Sequence, residues 1–136
     1  MNWIIATLWS SIGKKLMMAI TGFCFICFLV LHLAGNLTVF IDKDLFNAYS
    51  AHLHTYGPLI NLAELALLFL AVVHVLIGSI LFYENFKARP LRYKIKKNAG
   101  GRTIGSLTMP YTGFIVLAFV IFHLFNFHFV DKTDTT

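Results

Sequence analysis

The chain has 136 residues, of which 58% are hydrophobic and only 12% charged. A soluble domain of this size carries about twice that charged fraction, so a water-soluble globular fold is excluded. The net charge of +5 is not the footprint of a nucleic-acid partner, because Lys87, Arg89, Arg92, Lys94, Lys96, Lys97 and Arg102 all fall in one segment between apolar blocks.

In chain order, the first apolar block runs from about Leu16 to Ile41 and is preceded by Lys14 and Lys15. It is too long for a signal-peptide core and lacks a small-residue cleavage site, so it is expected to stay as an anchor. Cys24 and Cys27 fall inside it, where a lone CxxC reads as packing rather than as a metal site. After Asp42, Lys43 and Asp44 comes a short amphipathic stretch, Phe46 to His54, expected to lie along the membrane surface. Gly57-Pro58 breaks it and opens the second block, about Leu59 to Tyr83. A basic loop follows from Glu84 to Thr108, and the third block spans about Met109 to Val130 before a polar tail. Each block exceeds the roughly 20 residues needed to cross the hydrocarbon. The expected fold class is therefore all-α. It is a single transmembrane domain over residues 1–136, a helical bundle with spans at about 16–41, 59–83 and 109–130 and a short amphipathic surface helix in the first loop. The N-terminus and the basic loop hold nine of the eleven Lys and Arg residues. That bias puts both in the cytoplasm and the first loop and C-terminus outside.

Six histidines are present: His32, His52, His54, His74, His123 and His128. An imidazole in hydrocarbon is costly unless it finds a partner, so an intramembrane histidine marks a candidate functional site. At 1.5 Å per residue from the cytoplasmic edges, His32 is expected roughly 25 Å deep, His123 roughly 20 Å and His74 about 15 Å. His32 and His123 thus share a level on different helices, as the two axial ligands of a bis-histidine haem must. Gly35 and Asn36 after His32, Ala71 and Gly78 around His74, and Gly113 and Ala118 before His123 offer room for a flat cofactor, and equally for plain helix contact. A faint repeat supports the pairing: Thr21-Gly22-Phe23 precedes His32-Leu33 as Thr112-Gly113-Phe114 precedes His123-Leu124, with the same glycine-to-histidine separation. The competing reading of each histidine is an interhelical hydrogen bond with no cofactor. His52, His54 and His128 sit at the outer boundary, within reach of water. Zinc is not expected, because no cysteine or carboxylate falls near the matched pair. Glu64 lies one to two turns inside the outer end of span two, placed either to snorkel or, with His54, to exchange protons with a quinol.

Several motifs resemble a known family. Ser10-Ser11-Ile12-Gly13-Lys14-Lys15, Met18-Ala19-Ile20-Thr21-Gly22 and Leu31-His32-Leu33-Ala34-Gly35-Asn36 are similar to the dihaem cytochrome b membrane-anchor subunit of succinate dehydrogenase and quinol:fumarate reductase. So are Phe46-Asn47-Ala48-Tyr49, Leu53-His54, Leu62-Ala63-Glu64, Glu84-Asn85, Lys87-Ala88-Arg89-Pro90, Tyr111-Thr112-Gly113 and Phe122-His123-Leu124. The resemblance covers nearly the whole chain. It implies a multi-pass subunit of the bacterial cytoplasmic membrane that holds flavoprotein and iron–sulfur subunits on the cytoplasmic face. Such a subunit relays electrons through haem b to a membrane quinone without itself being catalytic. By carry-over, His32 and His123 hold the outer haem and His74 holds the inner one. The family has five spans, and its fourth carries the histidine opposite the one matching His74; this sequence departs by presenting three. It reads either as a truncated or split version, with a further membrane chain supplying that ligand, or as a smaller anchor with one complete haem site.

Ser11 and Lys14, with Ser10, stand at the cytoplasmic mouth of span one as candidate quinone or partner contacts. The basic loop is a candidate docking surface for the cytoplasmic subunits or anionic lipid. Two rival readings stay open: a haem-free structural anchor, and a haem b subunit of another respiratory dehydrogenase.

Overall fold

A backbone in a medium without water must satisfy its own amides, and a helix does so within one segment. The structure, a computed structural model, describes residues 2–88 and 103–127. These form five helices: α1 (Asn2–Trp9), α2 (Ser11–Ile41), α3 (Lys43–His54), α4 (Gly57–Lys87) and α5 (Ile104–Phe127). No strand occurs among the described residues. Of the five, α2, α4 and α5 have 31, 31 and 24 residues and are long and apolar enough to cross a membrane. At 1.5 Å per residue, 31 residues reach about 46 Å, beyond the roughly 30 Å of hydrocarbon.

The helices outrun the apolar blocks, because hydropathy reports the solvent while caps decide where a helix stops. The first starts at Ser11 rather than Leu16: Ser10 caps it, its Oγ accepting from the Gly13 amide at 3.0 Å. The second continues through Glu84 to Lys87, so these residues belong to a helix and not to the basic loop. It begins at Gly57 with Pro58 in its first turn, where a missing N–H costs nothing. The third starts at Ile104 rather than Met109, with the Thr103 hydroxyl accepting from the Ser106 amide at 3.1 Å. Of the expected third span, residues 128–130 lie outside the described residues, as do His128 and the basic residues Arg89 to Arg102.

Two helices are short. The first, α1, was not expected from the sequence. Its residues Trp3, Ile5 and Trp9 are more than half exposed. It folds back on α2 where Gly13 permits backbone contact. A Cβ there would strike the Thr7 carbonyl oxygen and lie 2.6 Å from that of Leu8. The other, α3, is capped by Asp42, whose Oδ1 accepts from the Asp44 amide at 3.0 Å. It leans on α2 through Tyr49, whose hydroxyl would be 2.6 Å from a Cβ at Gly35.

Side-chain burial is inverted relative to a soluble protein. Ile77 is the one buried hydrophobic side chain among the described residues, whereas Lys14 and Thr21 are buried. Apolar side chains such as Phe23, Ile26, Leu62 and Phe69 face outward at more than 60% exposure. Such a surface is stable against lipid or other apolar chains and not against water. The chain forms two compact units, Met1–Arg89 and Pro90–Thr136. The first contains α1 to α4 and the second α5.

Candidate functional site

The contacts between α2 and α4 set an antiparallel register. Lys14 pairs with Glu84 near one end, Met18 lies beside Gly78, and Thr21 meets His74. As α2 advances, α4 runs back. The polar contacts of this seam sit where neither helix has an apolar stripe to offer, since both are apolar all round.

His74 is half-buried in the seam. Its Nδ1 lies 2.7 Å from Thr21 Oγ1. The Thr21 hydroxyl also reaches back to the Met17 carbonyl at 2.8 Å and the Met18 carbonyl at 3.2 Å. Phe25 presents its ring to His74 edge-on, with centroids 5.5 Å apart and planes at 83°. Gly22 lies beside the ring, where a Cβ would stand 3.6 Å from His74 Cε1, an ordinary van der Waals contact.

His32 lies eleven residues beyond Thr21 on the same helix, a rise of about 16 Å. His32 and His74 therefore stand at different levels, too far apart to serve one metal ion. This agrees in direction with the depths expected from sequence, which put His74 nearer the start of α2. His32 is exposed on its unit and stacks on Phe28, with centroids 5.1 Å apart. Its own carbonyl accepts from Asn36 Nδ2 at 2.7 Å. Continued along α4, the register brings Glu64, ten residues before His74, to the level of Leu31 and His32.

In the second unit, His123 is half-buried and stacks on Phe119 at 5.6 Å, with Phe127 at 5.0 Å on its other side. The phenylalanine four residues before His32 and before His123 extends the Thr-Gly-Phe repeat. That signal was readable at the i, i+4 spacing but went unused. Thr112 repeats the back-bonding of Thr21, reaching the Met109 carbonyl at 3.1 Å and the Thr108 carbonyl at 3.3 Å.

The four candidate quinone and proton residues are not gathered in one place. Ser11 and Lys14 lie in the first turn of α2, and the Lys14 ammonium is buried against the Glu84 carboxylate, itself half exposed. Glu64 and His54 belong toward the other end. His54 sits in the last turn of α3, with its Nδ1–H donating to the Ser50 carbonyl at 2.7 Å. His52 sets its ring edge against Tyr56. No cluster of three or more His, Cys, Asp or Glu side chains suited to a metal ion occurs among the described residues. Cys24 and Cys27 are free thiols.

Sequence reasoning missed two residues of this seam, Thr21 as the partner of His74 and Glu84 as the partner of Lys14. Each is unremarkable on its own helix and gains meaning only from the register. No family model, curated protein or solved structure matches the chain.

Proposed function

We propose that this chain is the haem-b-binding membrane anchor and electron-relay subunit of a succinate:quinone oxidoreductase or fumarate reductase complex. The observation that carries the reading is the placement of one histidine in each of the three long apolar helices, with His32 and His74 on separate levels of the α2–α4 pair. Two levels fit two haem positions and exclude a single site shared by His32 and His74. The donor type fits as well, since imidazole is an axial ligand of haem iron. The resemblance of the Ser10–Lys15, Leu31–Asn36 and Phe122–Leu124 motifs supports the same assignment.

In this reading His32 and His123 would hold one haem and His74 would hold the other, together with a ligand from outside these three helices. The haem would supply a one-electron couple suited to electron transfer. The chain's own residues set the depth of the two sites, shield them with Phe25, Phe28 and Phe119, and handle protons where quinone is exchanged. Glu64 and His54 take that role at the outer side, with Ser11 and Lys14 as contacts at the cytoplasmic mouth. The N-terminus and the basic stretch from Lys87 to Arg102 face the cytoplasm of a bacterial inner membrane. There they dock the flavoprotein and iron–sulfur subunits. The helix α3 lies along the outer membrane surface.

One observation favours a second reading. The Thr21–His74 bond is an interhelical bond of the kind a haem-free structural anchor would use. A reduced-minus-oxidised spectrum with a pyridine haemochrome count per chain separates the two. One or two low-spin b-type haems per chain support the relay, and none overturns it. Co-purification of a catalytic subunit other than a succinate or fumarate flavoprotein would keep the haem and replace the complex.

A further inference from the structure

The hydroxyl of Thr21 has one proton to give and two lone pairs to offer. Two carbonyls of its own helix, those of Met17 and Met18, lie within 2.8 and 3.2 Å. Both carbonyls can only accept, and a hydroxyl proton given to them is the usual back-bonding of threonine inside a helix. Toward His74 Nδ1, 2.7 Å away, the oxygen is then left to accept. When the oxygen accepts, the proton in that bond is the one on Nδ1, and a neutral imidazole carries only one. In that tautomer Nε2 is a bare lone pair. Among the described residues no hydrogen bond is made at that nitrogen, and the ring of Phe25 and the backbone of Gly22 flank the imidazole.

We propose that Thr21 is a positioning residue that locks His74 as the Nδ1–H tautomer and thereby presents Nε2 as a metal-ligating nitrogen. Metal-bound histidines commonly donate their second ring N–H to a protein acceptor, which fixes the ring and raises its basicity. Here the acceptor is a hydroxyl on the neighbouring helix, so the antiparallel register of α2 and α4 itself selects the tautomer. The ligand role rests on the haem reading above, whereas the tautomer does not.

The test uses the full chain, labelled with 15N-histidine, in lipid nanodiscs. The chain is produced in haem-depleted cells and studied at about pH 8, above the ordinary imidazole range. Long-range proton–nitrogen correlation reports which ring nitrogen bears the proton, and loss of the signals in His74→Ala assigns them. The wild type is expected to show the Nδ1–H pattern, Thr21→Ser to keep it, and Thr21→Val to move it to Nε2–H. In haem-loaded protein, Thr21→Val is expected to weaken retention of the His74-dependent haem about tenfold or more. The midpoint potential of that haem should rise, and Thr21→Ser should restore both. An Nε2–H pattern in the wild type overturns the assignment without any variant having to fold, and so does an Nδ1–H pattern that survives Thr21→Val. Finding the Nδ1–H pattern in a wild type that takes up no haem would overturn the ligand role together with the haem reading and leave the tautomer standing.

Discussion

Within the first unit α2 buries Gly13, Lys14, Thr21 and Gly35, and α4 contributes Ile77. The outward faces of the same two helices carry Phe23, Ile26, Leu62 and Phe69, each well over half exposed. In water this arrangement would be inside out. In lipid, burying a leucine against another helix gains little, because acyl chains are as apolar as leucine. What holds two such helices together is close backbone approach at small residues, hydrogen bonds that have no competitor, and charge pairs. The histidines fall on both sides of this division. His74 is turned into the seam and bonded to Thr21, while His32 lies on an outward face and stacks on Phe28. The same residue type thus serves two surroundings, one in the seam between the helices and one on an exposed face of the unit.

The largest expected effect sharpens that contrast between histidines. On the proposed haem reading, His32→Ala and His123→Ala should each abolish the same haem component, and His74→Ala should leave that component intact, as read from reduced-minus-oxidised spectra. Loss of different components in the first two variants would break the pairing. Next comes Gly13→Ala, whose methyl meets backbone of Thr7 and Leu8 that cannot step aside. It should cost about 3 kcal/mol, the upper end of overpacking, and free α1, seen as a change in Trp3 and Trp9 fluorescence and a lower midpoint in detergent unfolding. Glu84→Gln removes the partner of a buried ammonium. Because Glu84 is half exposed, the loss should be about 1–2 kcal/mol rather than that of a fully buried pair, and the Lys14→Met/Glu84→Gln double variant should recover part of it. Gly78→Ala and Phe23→Leu should each stay within about 0.5 kcal/mol. The Met18 methyl, 3.3 Å from the new Cβ, can rotate away, and Phe23 exchanges one apolar surface for another against lipid. A cost for Phe23→Leu matching that of Gly13→Ala would break the distinction between seam and face.

Much of the architecture was legible before any coordinates. Three long helices follow from three apolar blocks, the break between α3 and α4 follows from Gly57-Pro58, and a helix in the first loop follows from its mixed composition. The helix ends were less legible, because Ser10 and Thr103 cap helices that begin several residues outside the apolar blocks. The α1 helix was missed because eight residues are too few to show a period. As for the site, the three histidines and the different levels of His32 and His74 came from counting along helices. Their partners did not.

The amino-acid sequence by itself determined which segments are helical, that their surfaces suit lipid rather than water, and where along each helix the imidazoles and the charges sit. Those properties are local, since rise per residue and hydropathy need no neighbour. Only the tertiary structure decided that Thr21 faces His74, that Lys14 faces Glu84, and that Gly13 and Gly35 are the points where α1 and Tyr49 close in. A helix that is apolar on every side carries no stripe to mark its inward face. The rotation of α2 against α4, and the register between them, are therefore fixed by a few small and polar residues whose fit exists only once both helices are in place.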